Sequence, residues 1–212
     1  MIDNKPAIYN APSVYMLGGS GGGGGGETVE IAGKTYPVVT IGAQKWIGYN
    51  LDYVPDGVNV GGSGEISTPN AWYYSNNATR FGWNNKKYGL LYNFAAVNIV
   101  NSSLSDGWRV PSKPDLESFI SFLGGSSEGK KIRSPYDWSS DLGEDLFNFS
   151  LLPCGLRWAH DAFQYIGTSA YLATTTTAGG NYFYQLELSG YSFNFSQINK
   201  ASAFSIRLVK DA

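Results

Sequence analysis

Cysteine and histidine are almost missing from this 212-residue chain, which has one of each, Cys154 and His160. A single cysteine excludes a disulfide framework within the chain and a zinc site built on cysteines. Charge is sparse as well. Charged residues make up 15% and the formal net charge is −2. No basic patch of the kind that neutralises phosphates is visible, so nucleic acid is not an expected partner. Long apolar runs are lacking too. Nothing approaches the roughly 18 apolar residues of a membrane-spanning helix, so no membrane insertion is expected. The opening stretch MIDNKPAIYNAPSVYML has no apolar run of signal-peptide length and no lipobox cysteine. If Met1 is the natural start, the chain is expected to stay in the cytoplasm or to leave it by a route other than a cleaved leader.

What is present is equally telling. Hydrophobic residues reach 42%, a globular proportion. Aromatics at 15% and 27 glycines point to many short strands joined by tight turns. Residues 18–26 read GGSGGGGGG. Such a run cannot bury apolar surface and predicts a flexible linker spanning roughly 15–18 Å. The sharper alternative is a polyproline-II-like segment packed against sister chains, which would make the protein a homo-oligomer. Residues 1–17 carry Ile8, Tyr9, Val14, Tyr15 and Leu17. They are too few to fold alone and apolar enough to dock on a carrier protein. The main domain is expected over residues 27–212.

Within it, VEIAGKTYPVVTIG predicts two strands around a turn at Ala32–Gly33, and QKWIGYNL predicts another apolar strand. Residues 55–70 predict a long loop. Residues 89–101 predict a helix with Leu91, Phe94, Ala95 and Asn98 at helical spacing. A second helix has Ser112 as its cap, Asp115 at the reciprocal capping-box position and Pro114 in the first turn. Its apolar face is Leu116, Phe119, Ile120 and Leu123, and Gly124–Gly125 ends it. Two helices between groups of strands predict an α+β domain. Near the end, YFYQLEL and YSFNFSQ flank Ser189–Gly190 and predict a two-residue hairpin with Leu188 opposite Tyr191. That register sets Tyr182, Tyr184, Leu186, Leu188, Tyr191, Phe193 and Phe195 on one face, the expected core. Phe183, Gln185, Glu187, Ser192, Asn194 and Ser196 share the other, expected to be wet. AFSIRLVK then predicts a last strand, with Phe204, Ile206 and Leu208 alternating against Ser205, Arg207 and Val209.

The ordered blocks TIGAQKWIGYNLDY, YGLLYNFAAV, DGWRVPS, GKKIRS, NFSLLPCGLR and FSIRLVKD resemble those of the Fibrobacter succinogenes major paralogous domain family. That family is similar to the C-type lectin-like and formylglycine-generating-enzyme folds. The resemblance spans roughly residues 34–211 and is most specific at GWRVPS, where Trp108 and Pro111 shape the approach to the second helix. It implies a C-type lectin-like α+β domain with two helices, an antiparallel sheet and paired N- and C-terminal strands. It also implies a ligand face in the C-terminal half. Similar domains occur in bacterial surface proteins and as hypervariable domains of phage and bacterial adhesins.

Catalytic chemistry has little support. Formylglycine-generating relatives use a pair of cysteines, and Cys154 stands alone in the apolar run LLPCG, the setting of an inert buried thiol. No Ser–His–acid arrangement can be assigned around His160. Asp141, Glu144 and Asp145 could supply oxygen ligands to Ca²⁺, but solvated loop acids are the plainer reading. No enzyme activity, cofactor or metal is expected. Recognition chemistry is better supported. Arg157, Trp158, His160, Asp161, Phe163 and Tyr165 fall between Gly155 and Gly167, where a loop can protrude. Trp, Tyr and Arg dominate interface energetics, and Tyr-, Ser- and Asn-rich surfaces adapt to many partners. Asn181, Phe183, Gln185 and Asn194 join them from the wet face of the hairpin. The expected role is a receptor-binding domain on a phage tail or virion appendage, attached through residues 1–17 and recognising a host-surface protein or glycan. The alternative is a bacterial cell-surface or extracellular binding protein.

Overall fold

The computed structural model describes residues 26–77 and 88–212. The docking segment 1–17 and the glycine run up to residue 25 lie outside the described residues. Ala32 and Gly33 both adopt positive φ, 50° and 75°, and reverse the chain between β1 (Thr28–Ile31) and β2 (Lys34–Ile41) as the pattern predicts. β3 (Gln44–Ile47) pairs with β2 on one side and with β13 (Val209–Asp211) on the other. The two ends of the domain therefore close in one four-stranded sheet, β1-β2-β3-β13.

The stretch 55–70 contributes β4 (Asn59–Val60) and the start of β5 (Asn70–Trp72). β6 (Leu91–Tyr92) follows, and α1 (Phe94–Ser102) starts only after Asn93, whose side chain accepts the Ala96 N–H at 3.1 Å. The helical pattern expected from residue 89 thus begins five residues later, because the apolar pair Leu91–Tyr92 is claimed by sheet pairing with β5. The second helix, α2 (Lys113–Leu123), has the full reciprocal capping box between Ser112 and Asp115 and a left-handed Gly124 at its end. Leu116, Phe119 and Leu123 are buried. Trp108 is buried in the approach to α2.

The second sheet runs β11-β10-β9-β12-β6-β5-β4 and is built on β9 (Ser169–Thr177), β10 (Tyr182–Ser189), β11 (Ser192–Asn199) and β12 (Phe204–Ser205). β7 (Cys154–Arg157) pairs in parallel with β9, and β8 (Phe163–Ile166) folds back on β7. The α+β, C-type lectin-like expectation is therefore corrected. Among the described residues thirteen strands form two sheets, and the two α-helices span only 9 and 11 residues. The reason lies in the local chemistry. Glycine, β-branched and aromatic residues make up more than half of residues 163–198, and these favour strands and turns over helix.

β9 and β10 feed a core on each face. On one side Leu172, Leu186, Leu188 and Phe193 pack with Trp46, Leu116, Phe119 and Phe149. On the other, Tyr171, Ala173 and Phe183 pack with Phe94, Val97 and Phe204. The alternation in the hairpin was expected to leave one face wet. Instead α1 covers part of that face, and Phe183 is 0% exposed, with ring centroids 4.8 Å from Phe94 and 5.7 Å from Phe204. The register is also corrected. Ser189 lies opposite Ser192 and Leu188 opposite Phe193, so the turn is Gly190–Tyr191. Distant segments set it: Arg133 donates to the Gly190 carbonyl at 2.7 Å, and Gly129 N–H to the Tyr191 carbonyl at 2.9 Å. A side chain at Gly129 could not be tolerated, since a Cβ there would lie 2.7 Å from that same carbonyl. The shift is by two residues, so each side chain keeps its face.

Three arginines bind the interior. Arg207 is fully buried; it donates to Asn50 Oδ1 at 2.6 Å and to the carbonyls of Ile47, Phe149 and Ser150. Arg133 stacks 3.8 Å over Trp138 and donates to the Ser140 and Asp141 carbonyls. Arg157 lies 4.0 Å over Trp72. Planar guanidinium groups suit this combination of stacking and forked donation. The stretch expected as one alternating last strand is instead β12 and β13, one in each sheet, and it is buried throughout from Phe204 to Val209.

Candidate functional site

Gly155, at φ 64°, lets β7 approach β8 so closely that a Cβ there would lie 2.3 Å from the Gln164 carbonyl. The segment expected as a protruding loop is therefore a tight β7–β8 hairpin, turned through Trp158–Ala162 by backbone bonds between those two residues and from Asp161 to Trp158. Arg157 points inward: it is 2% exposed and pairs with Asp161, which sits in the turn at φ 72°. Burial lowers its guanidinium from the ordinary arginine value, with Asp161 opposing. Arg157 and Asp161, both expected on the ligand face, instead pin the hairpin turn. Phe163 also faces inward, 5.3 Å from Tyr74 in a small cluster with Trp72 and Leu91.

Trp158 and Tyr165 take the other side of the hairpin. Trp158 is half-buried, and its indole N–H donates to Gln164 Oε1 at 2.8 Å. Exposed His160 lies nearly parallel to it, centroids 6.2 Å apart at 9°. Tyr165 is 45% exposed, with its ring 6.5 Å from Trp158 and 6.0 Å from Tyr171. Facing these rings is the part of the β9–β10–β11 sheet that α1 leaves uncovered. The cleft between them encloses about 440 Å³ and is lined by Trp158, Tyr165, Tyr171, Gln185, Glu187 and Ser196 among others. That volume suits a small ligand or one side chain of a partner (pockets run from about 300 to 1,000 Å³).

The polar groups of the cleft are few. Tyr171 lies directly across from Glu187 in the register and donates its hydroxyl to Glu187 Oε1 at 3.0 Å. Burial and the neighbouring carboxylate push the Tyr171 hydroxyl well above the ordinary tyrosine range, so it remains a donor. Gln185 is 3% exposed, and its Oε1 accepts no hydrogen bond from any described residue. The hairpin expectation that Gln185 is freely exposed is corrected: it belongs to the floor of the cleft. Phe183 lies in the core beneath α1 and has no access to a ligand. Asn181 and Asn194 are exposed and do not line the cleft.

Of the ten residues singled out from sequence, the cleft brings together Trp158, Tyr165 and Gln185. It adds Tyr171 and Glu187. Glu187 had a readable signal, since it is the single charged residue between Asp161 and Lys200. Tyr171 had none beyond strand alternation. Cys154 is buried and accepts a contact from the Ser205 hydroxyl at 3.1 Å. The acidic group 141–145 is dispersed: Glu144 pairs with Lys130 at 3.1 Å, and Asp145 accepts from Ser150. Among the described residues no cluster of three or more His, Cys, Asp or Glu side chains could hold a metal ion.

No curated protein and no solved structure matches the chain. The model of one family does, over residues 39–210, from β2 to β13. It takes in β3, the whole of the second sheet, α1, α2, the three buried arginines and the whole cleft, and leaves out β1. The chain belongs to the Fibrobacter succinogenes major domain family.

Proposed function

We propose that this chain is a non-enzymatic recognition domain, an adhesin whose receptor presents a group to the cleft between the β7–β8 hairpin and the β9–β11 sheet. The observation that carries this reading is the make-up of the cleft. Three aromatic rings, Trp158, Tyr165 and Tyr171, stand beside one carboxylate and one buried amide in about 440 Å³. Aromatic walls with a few convergent polar groups are the general form of a ligand site. The glycine run at 18–26 supports display at a distance from a carrier held by residues 1–17. A phage tail or virion appendage is the carrier we favour, with a host-surface protein or glycan as receptor. A bacterial cell surface is the second placement, favoured by membership of a family named from the bacterium Fibrobacter succinogenes.

A glycan array and a pull-down from host envelope, each run with wild type and Trp158→Ala, test the recognition role. Binding that the variant loses supports the cleft. Equal binding by both proteins moves the site elsewhere. Immunogold labelling of purified virions and of cell envelopes tests the placement, and absence of label on virions counts against the phage reading.

A further inference from the structure

Glu187 is a half-buried carboxylate with no cation beside it among the described residues. Among the described residues it forms no ion pair, and its single hydrogen bond is the one Tyr171 donates to Oε1. Oε2 is left without a donor. Beside it on β10, the buried Gln185 Oε1 also lacks a donor. The nearby cation, Arg157, is committed to the opposite side of β7, over Trp72 and against Asp161. Among the described residues the cleft thus has a carboxylate acceptor to spare and no cationic side chain in its lining.

We infer that the cleft receives a primary ammonium on an apolar stem, the side chain of a lysine presented by a receptor protein; this rests on the cleft being the recognition site. Three features of a lysine match three features of the wall. The ammonium carries three N–H donors, and Glu187 Oε2 is an acceptor with no donor among the described residues. The charge is attracted to the faces of Trp158, Tyr165 and Tyr171; the Tyr165 ring lies 6.5 Å from Trp158 and 6.0 Å from Tyr171. The methylene stem covers Leu156 and Ile198 on the apolar part of the lining. A quaternary ammonium would satisfy the rings but has no N–H for the Glu187 carboxylate. An anionic group would meet Glu187 with nothing to offset it.

The probe is the peptide acetyl-Gly-Lys-Gly-amide, followed by the Trp158 indole N–H signal in NMR titration of the full chain. The comparison ligands are the same peptide acetylated on the lysine nitrogen, choline and a neutral methyl glycoside. The expected result is a saturable shift with the lysine peptide, little or none with the acetylated one, and affinity weakened about tenfold or more in Glu187→Gln. That variant keeps an acceptor for the Tyr171 hydroxyl, and its melting temperature reports that it folds. An equal response to the acetylated peptide, an unchanged affinity in Glu187→Gln, or a stronger response to choline overturns the lysine assignment. A response to the glycoside alone also overturns it while leaving the cleft as the recognition site. No response to any probe, together with receptor capture that ignores Trp158→Ala, removes both.

Discussion

The two faces of the β9–β10–β11 sheet are built from the same alternating strands and do different things. The face toward α2 is dry over Leu172, Leu186, Leu188 and Phe193, and it closes on the Trp46, Phe119 and Phe149 rings. The face toward α1 is divided. Its Phe183 end is sealed by Phe94, while its Gln185–Glu187 end is roofed only by the β7–β8 hairpin and holds the cleft. The same strand therefore contributes core and site within two residues of each other. Periodicity sorts side chains between faces, but what covers each face decides which side chains meet water.

The largest effects should come from breaking the cores. Phe119→Ala on the α2 side and Phe183→Ala on the α1 side should each destabilise by about 3–5 kcal/mol, the usual range for emptying a buried phenylalanine site. Urea melts of the two variants measure it. If Phe183→Ala is silent, the α1 face is wet, as simple alternation suggests, and the comparison fails.

Trp158→Ala sharpens the division within the α1 face. It removes a half-buried ring and its 2.8 Å bond to Gln164. A stability loss of about 1 kcal/mol is expected, well below that of Phe183→Ala. Receptor affinity should fall about thirtyfold or more, as for an interface hot spot of about 2 kcal/mol. Thermal melts beside receptor titration separate the two quantities. A destabilisation as large as that of Phe183→Ala would make Trp158 a core residue.

Tyr184→Ala should do less. Tyr184 shares its face with Leu186 and Leu188 but overhangs the start of α2, where it meets the Lys113 ammonium at 5.2 Å and accepts from Gln197 at 3.2 Å. Loss of about 0.5–1 kcal/mol is expected, with receptor binding unchanged. Tyr182 on the same face is 50% exposed, so the dry core ends before it. Asn194→Ala, exposed on β11, should stay within about 0.5 kcal/mol of wild type in melting experiments. A larger change would mean that Asn194 contacts something in the folded chain.

Local chemistry determined what could be read from the sequence alone. Ser112, Pro114, Asp115 and Gly124 announce α2 because caps act over three or four residues. Ala32–Gly33 announces the first hairpin for the same reason, and strict alternation sorts residues 182–188 and 192–196 between the two faces. The ordered motif series was enough to indicate the family. Tertiary structure alone decided the rest. The hairpin register follows from Arg133 and Gly129, more than fifty residues upstream of the turn they hold. The fates of Phe183, Arg157 and Gln185 depend on α1, Trp72 and the β7–β8 hairpin, which sequence distance hides. A polar or aromatic residue at a strand position has the same pattern whether it meets water, a ring or a ligand. Only the element packed against it settles the choice, because burial belongs to pairs of surfaces and not to single segments.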